Sequence, residues 1–194
     1  GEPVKGLRAE LRAGNYSSSA ESDEKGLIRI SRTPYSSLRG IGTYTLAIKM
    51  GELVLYEGSL KATEPRISMD VTLPLANLNL KVVNLEGEPI PKITVKLSSV
   101  GYSSEGRSES GMITLKNLPL SELKGIGPYK INVSMRVASG DMPIYYEERS
   151  IGGSANISLI ADLTRLVVKV VNENGEPVRG VAVRLSNALM ANFT

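Results

Sequence analysis

The residues of this chain whose types and spacing could carry chemistry fall into a few groups. Four asparagines open Asn-x-Ser/Thr tripeptides: Asn15-Tyr-Ser17, Asn132-Val-Ser134, Asn156-Ile-Ser158 and Asn192-Phe-Thr194. Each is an acceptor sequence for an N-linked glycan, and a glycan on any of them places the protein outside the cytoplasm. Asn132 and Asn156 fall on the polar side of alternating segments, where a glycan projects into solvent, and Asn15 lies in a serine-rich loop. Tyr102, Tyr145 and Tyr146 could form a small surface on which a sugar ring stacks, whereas Tyr44 and Tyr129 are in phase with aliphatic neighbours and read as core. Glu86, Glu88, Glu173 and Glu176 sit in two Asn-x-x-Gly-Glu-Pro loops. They lack the dense Asp/Asn spacing of a calcium loop, so those loops read as plain turns. Glu147 and Glu148 are adjacent on an alternating segment and point to opposite faces, which does not make a glycosidase pair.

What is missing excludes more. The chain has no histidine, no cysteine and no tryptophan. A zinc site of the usual kind, a Ser–His triad, a cysteine nucleophile and a disulfide framework are therefore ruled out. No catalytic, cofactor-binding or metal-ligating residue is assigned, and the segment reads as non-enzymatic. Arg8, Arg12, Lys25, Arg29, Arg32 and Arg39 are interspersed with Glu10, Glu21, Asp23 and Glu24, and no aromatic ladder accompanies them. The net charge of +3 is thus spread over a solvated face, and nucleic acid is not an expected partner. The longest apolar runs, Leu53 to Tyr56 and Ala188 to Ala191, are too short to cross a bilayer. No charged start leads into an apolar stretch, so a secretion signal is expected outside these residues.

The elements that must position these residues repeat. Gly-Glu-Pro-Val at Gly1 returns as Gly-Glu-Pro-Ile at Gly87 and Gly-Glu-Pro-Val at Gly175, 86 and 88 residues apart. Gly40-Ile-Gly-Thr-Tyr44 is echoed 85 residues later by Gly125-Ile-Gly-Pro-Tyr129, and Leu78 to Asn84 is matched by Leu166 to Asn172. A unit of this length exceeds a solenoid turn and is long enough to own a core. Within it, period-two alternation dominates: Tyr44 to Met50, Ile67 to Leu73 and Tyr129 to Met135 read as half-buried strands. Shorter strands are expected at Leu27 to Ile30, Met112 to Leu115, Leu53 to Tyr56 and Ile144 to Tyr146, and a single turn of helix near Ser121 to Lys124. The spacing of turn residues points to an all-β fold of tandem Ig-like antiparallel sandwiches. The Gly-Ile-Gly segments precede strands and read as tight turns, not phosphate loops.

The order of alternating strand, Asn-x-x-Gly-x-Pro-Val/Ile, alternating strand, short Gly-led strand and Gly-x-Tyr strand resembles carboxypeptidase-regulatory-like, or prealbumin-like, domains. The resemblance implies seven-stranded Ig-like sandwiches in tandem on bacterial or archaeal surface proteins. Related collagen-adhesin B-type domains join a first-strand lysine to a last-strand asparagine. Lys81 and Lys169 resemble that lysine, but the positions of the family's catalytic glutamate hold Ile48 and Val133, so no such cross-link is expected.

The expected organisation is a sandwich lacking its first strand at 1–77, a complete sandwich at 78–165, and the first two strands of an incomplete third repeat at 166–194. Two explanations of the ends stay open: a segment of a longer array, or a strand supplied by a neighbouring molecule, for which Leu166 to Asn172 is the donor if the polypeptide ends here. Functionally the chain reads as a repeat segment of an extracellular cell-surface protein (an archaeal S-layer, a stalk or a filament) working as semi-rigid spacer and assembly surface. Its partners are then neighbouring domains of a longer chain or copies of itself. An adhesion or carbohydrate-binding module, and accessory repeats of a larger secreted enzyme, are the alternatives.

Overall fold

The structure is a computed structural model that describes residues 2–138, 140–164 and 166–183. Among these residues there are eleven strands and no helix: β1 (Arg8–Ala13), β2 (Tyr16–Glu21), β3 (Tyr44–Met50), β4 (Leu53–Leu60), β5 (Leu75–Val83), β6 (Ile93–Ser99), β7 (Tyr102–Ser108), β8 (Met112–Pro119), β9 (Tyr129–Val137), β10 (Gly140–Arg149) and β11 (Ala155–Ile160). The chain divides into two compact units, residues 1–163 and 164–194.

The first unit holds two cores. Strands β5 to β11 form an Ig-like sandwich of two sheets, β10-β9-β6-β7 and β11-β5-β8. Alternation does the sorting: Leu78, Leu80 and Val82 of β5 face Ile93, Val95 and Leu97 of β6 and Ile131 and Val133 of β9 in one apolar cluster, while Asn79 and Lys81 face out. All pairings are antiparallel except β11 with β5, which is parallel, so β5 is hydrogen-bonded on both sides. The second core lies beneath the sheet β2-β1-β3-β4 and contains Leu7, Ala9, Leu11, Tyr44, Leu46, Ile48 and Leu55.

The internal repeat recurs in three dimensions. Buried Tyr44 donates its hydroxyl to the Pro34 carbonyl at 2.7 Å, and buried Tyr129 does the same to Pro119 at 2.7 Å. Ser36 Oγ accepts from the Ala62 amide at 2.8 Å, as Ser121 Oγ accepts from Ile151 at 2.7 Å. Between serine and tyrosine the chain makes paired turns, Leu38 N–H to Tyr35 O and Ile41 N–H to Leu38 O, copied by Leu123 to Leu120 and Ile126 to Leu123. No helix forms at Ser121 to Lys124, contrary to the sequence reading. The turn is cut short because Gly125 adopts φ +90° and Gly127 +71°, a left-handed conformation open to glycine and incompatible with helix continuation.

Two expected strands are also absent. Leu27 to Ile30 and Ile67 to Leu73 are irregular and pair with no strand among the described residues. They pack loosely on the second core through Ile28, Ile30, Val71 and Leu73. Their counterparts in the sandwich, β8 and β11, are strands because β5 lies between them; no equivalent of β5 is described here.

In the second unit, Leu166 to Val170 form no strand, but the following loop repeats an earlier one. Asn172 Oδ1 accepts from the amides of Asn174 and Glu176, as Asn84 Oδ1 accepts from Glu86 and Glu88. Each Asx turn closes on an isolated bridge, Val171 with Pro177 and Val83 with Pro89. The second expected strand of this repeat runs into residues 184–194, outside the described residues.

Tyr129→Phe removes the hydroxyl that satisfies the buried Pro119 carbonyl and should cost about 1–2 kcal/mol of unfolding free energy. Burial first, and then neighbouring Tyr102, raises the Tyr129 pKa above the ordinary 10.0. The unfolded tyrosine therefore loses its proton first, and stability falls as pH climbs past 10. Denaturant unfolding of wild type and Tyr129→Phe on both sides of pH 10 should show a shallower alkaline loss in the variant.

Candidate functional site

The three tyrosines do not share a surface. Tyr102 starts β7 and Tyr145 and Tyr146 lie in β10, and these strands form opposite edges of one sheet. Tyr102 turns inward and meets Tyr129 edge-to-face, with ring centroids 6.2 Å apart and planes at 85°. Burial raises its pKa, with the Ser104 hydrogen bond opposing. Tyr145 packs partly on the core, and Tyr146 is 61% exposed. The sugar-stacking platform expected from sequence is thus not assembled, because strand order carries its members apart.

Tyr145 instead joins a cluster that the sequence reading missed. Its hydroxyl donates to Glu147 Oε2 at 2.6 Å, and Arg149 Nε donates to Glu147 Oε1 at 2.8 Å. Residues 145, 147 and 149 occupy one face of β10 by simple alternation, and that spacing was the available signal. A similar knot lies on β1 and β3, where Glu10 meets Lys49 at 3.0 Å and Arg12 at 2.9 Å. The Lys49 hydrogen bond is the main cause holding the Glu10 carboxyl below its ordinary range. In both clusters the carboxylate is kept ionised by donors it already contacts; the Glu10–Lys49 pair ties β1 to β3, whereas the Glu147 cluster runs along β10 alone.

Of the glycan acceptors, Asn15 is exposed in the turn joining β1 and β2, Asn132 is exposed on β9 and Asn156 is exposed on β11. Asn192 lies outside the described residues. Asn156 Oδ1 accepts from Asn79 Nδ2 at 2.9 Å, and Asn79 Oδ1 accepts from Thr114 at 2.8 Å, a polar ladder across β11, β5 and β8. This ladder floors a shallow concavity also lined by Lys81, Met112 and Ser158.

In the Gly-Glu-Pro loops, the carboxylates of Glu88 and Glu176 accept from Asn84 Nδ2 at 3.2 Å and Asn172 Nδ2 at 2.9 Å. Glu86 contributes its amide to the Asn84 turn, and Glu173 lies in the corresponding turn at Asn172. No group of three or more acidic residues that could hold a metal ion occurs among the described residues. Ile48 and Val133 are buried among aliphatic side chains, and Lys81 and Lys169 are exposed. No helix among the described residues is long and apolar enough to cross a membrane.

The Tyr145 hydroxyl is the largest cause holding the Glu147 carboxyl below its ordinary 4.5, with Arg149 adding to it and burial opposing. A lowered folded pKa contributes stability above the unfolded value, and that contribution is lost as pH falls through the folded one. Tyr145→Phe should move the Glu147 titration, followed by carboxyl NMR, back toward 4.5 and weaken the acid dependence of stability.

No family model matches the chain, and no curated protein matches it. Among solved structures, the chain is similar to the TIE protein of Bacillus anthracis (TM-score 0.31, 16% identity), covering 83% of this chain and 31% of that one. It is also similar to the shaft pilin SpaA of Lactobacillus rhamnosus GG (TM-score 0.37, 11% identity, 85% and 91% covered) and to BcpA, the major pilin subunit of Bacillus cereus (TM-score 0.35, 11% identity, 83% and 60% covered).

Proposed function

We propose that the chain is a structural repeat segment of an extracellular surface protein, acting as a semi-rigid spacer and an assembly surface. The observation that carries this reading is the junction inside the first unit. Leu53 and Leu123 pack on both cores, and the Leu120 amide donates to the Pro74 carbonyl at 3.0 Å. Leu73-Pro-Leu-Ala-Asn77 is no linker, because β5 begins within it at Leu75. Two modules joined by a strand and a shared apolar contact move together, whereas a Gly/Ser tether would leave them free. The array divides at 1–77, 78–165 and 166–194 in this reading. The cysteine-free, sequon-bearing composition fits a surface layer, and an archaeal S-layer is the specific form proposed. The sugar-binding alternative loses its platform with the separation of Tyr102 from Tyr145 and Tyr146.

Leu123→Ser should leave both cores folded while loosening the junction. Alignment tensors measured by NMR should agree for the two modules in wild type and diverge in the variant. Divergent tensors in wild type would defeat the spacer reading. Peptide mapping of native material should find glycan on at least one of Asn15, Asn132 and Asn156; all three bare would remove the glycoprotein part of the proposal.

A further inference from the structure

The outward face of the sheet β10-β9-β6-β7 carries an aligned row of side chains, one from each strand. Tyr146 stands opposite Asn132, Asn132 opposite Lys96 and Lys96 opposite Glu105, and all four are exposed. Residues paired in this way point to the same side of a sheet, with Cβ atoms about 4.5–5.5 Å apart. Asn132 opens the sequon Asn132-Val133-Ser134, and Tyr146, 61% exposed, is the most exposed tyrosine of the chain. A bulge in β10 makes the match. Ile144 has no partner on β9, which sets Tyr145 inward opposite Val133 and Tyr146 outward opposite Asn132.

The other described sequons have no such neighbour. Tyr16 follows Asn15 but turns inward, edge-to-face with Tyr44 at a centroid distance of 5.8 Å. Asn156 is paired with Asn79, and its Oδ1 already accepts from that residue's amide. In the first module the matching row reads Glu57, Ala47 and Glu10, so the asparagine and the tyrosine are replaced together.

A sugar fits this pairing chemically. The C–H bonds on one face of a pyranose are weakly positive and rest well on the negative face of a phenol ring. A glycan joined at the Asn132 amide nitrogen carries its first ring to about the height of the Tyr146 ring, one strand spacing away. On the other flank the Lys96 ammonium offers donors to sugar hydroxyls. We infer that the first sugar of a glycan on Asn132 lies against the Tyr146 ring, so that the glycan is held on the sheet as part of the module. This inference rests on the reading of the chain as an extracellular glycoprotein. Residues 132 and 146 are adjacent only in the folded state, so the contact favours folding.

The test uses the 194-residue chain secreted from a host that builds N-glycans on N-acetylglucosamine, trimmed by an endoglycosidase to one sugar per site. Nuclear Overhauser contacts should join the Asn132-linked sugar to the Tyr146 ring protons. Ser134→Ala removes that sugar while keeping Asn132, and should raise the unfolding equilibrium constant about three- to tenfold. A double-mutant cycle with Tyr146→Ser cancels the direct effect of either change. In the Tyr146→Ser background both the contacts and the stabilisation by the sugar should vanish, whereas Tyr146→Phe should keep them, because the ring and not the hydroxyl makes the contact. Equal stabilisation by the sugar in wild type and Tyr146→Ser, absence of sugar–ring contacts, or a bare Asn132 would overturn the inference. Native material with glycan on Asn15 or Asn156 and none on Asn132 would overturn it alone, whereas all three bare would defeat the glycoprotein reading with it.

Discussion

A strand hydrogen-bonded on both edges is the element on which this architecture turns. Backbone amides and carbonyls brought out of water must find partners, and β5 supplies them to β8 on one side and to β11 on the other. It also closes the sandwich, because Leu78, Leu80 and Val82 complete the apolar layer opposite β6 and β9. Where the strand is present, its neighbours are regular and their aliphatic residues dry. The first module shows the converse with apolar residues at the matching positions: without a described central strand, residues 27–30 and 67–73 are less regular and less buried than their counterparts. Pairing thus decides local structure here more than propensity does, as expected of strands, whose preferences depend on context.

The same strand explains why the modules are not loosely strung. β5 starts at Leu75, opposite Pro119 of β8, while Leu75 also packs against the core of the first module. The linking residues are therefore already structural when they leave one module for the next. The turn at Leu120 to Ile126 completes the seam, and its form is set by left-handed glycines and by the Tyr129 hydroxyl bound to Pro119. One short stretch of sequence, repeated at 85-residue spacing, carries both the internal tyrosine bond and the external leucine contact.

Much of this was legible in the sequence. Alternation located β3 and β9, shorter apolar runs marked β4, β8 and β10, and the repeated Asn-x-x-Gly-Glu-Pro motif marked the Asx turns. The apolar run at Leu27 to Ile30 and the alternation at Ile67 to Leu73 misled for a definite reason: apolar pattern records which face a segment can bury, not whether a strand lies beside it. The parallel pairing of β11 with β5 and the placement of Tyr102 far from Tyr145 both follow from strand order, which no local pattern encodes. The Tyr145–Glu147–Arg149 cluster, by contrast, is legible as three polar residues two apart, which alternation puts on one face of a strand.

The polar groups of the described residues are largely turned on one another. Glu10 and Glu147 are ringed by cations and a hydroxyl, and Asn79, Asn156 and Thr114 satisfy each other across three strands. The Glu10–Lys49 ion pair and the Asn79 ladder join neighbouring strands, whereas the Tyr145–Glu147–Arg149 cluster runs along β10 alone. Side-chain pairing therefore reinforces the main-chain ladders at the first two places and orders the face of a single strand at the third.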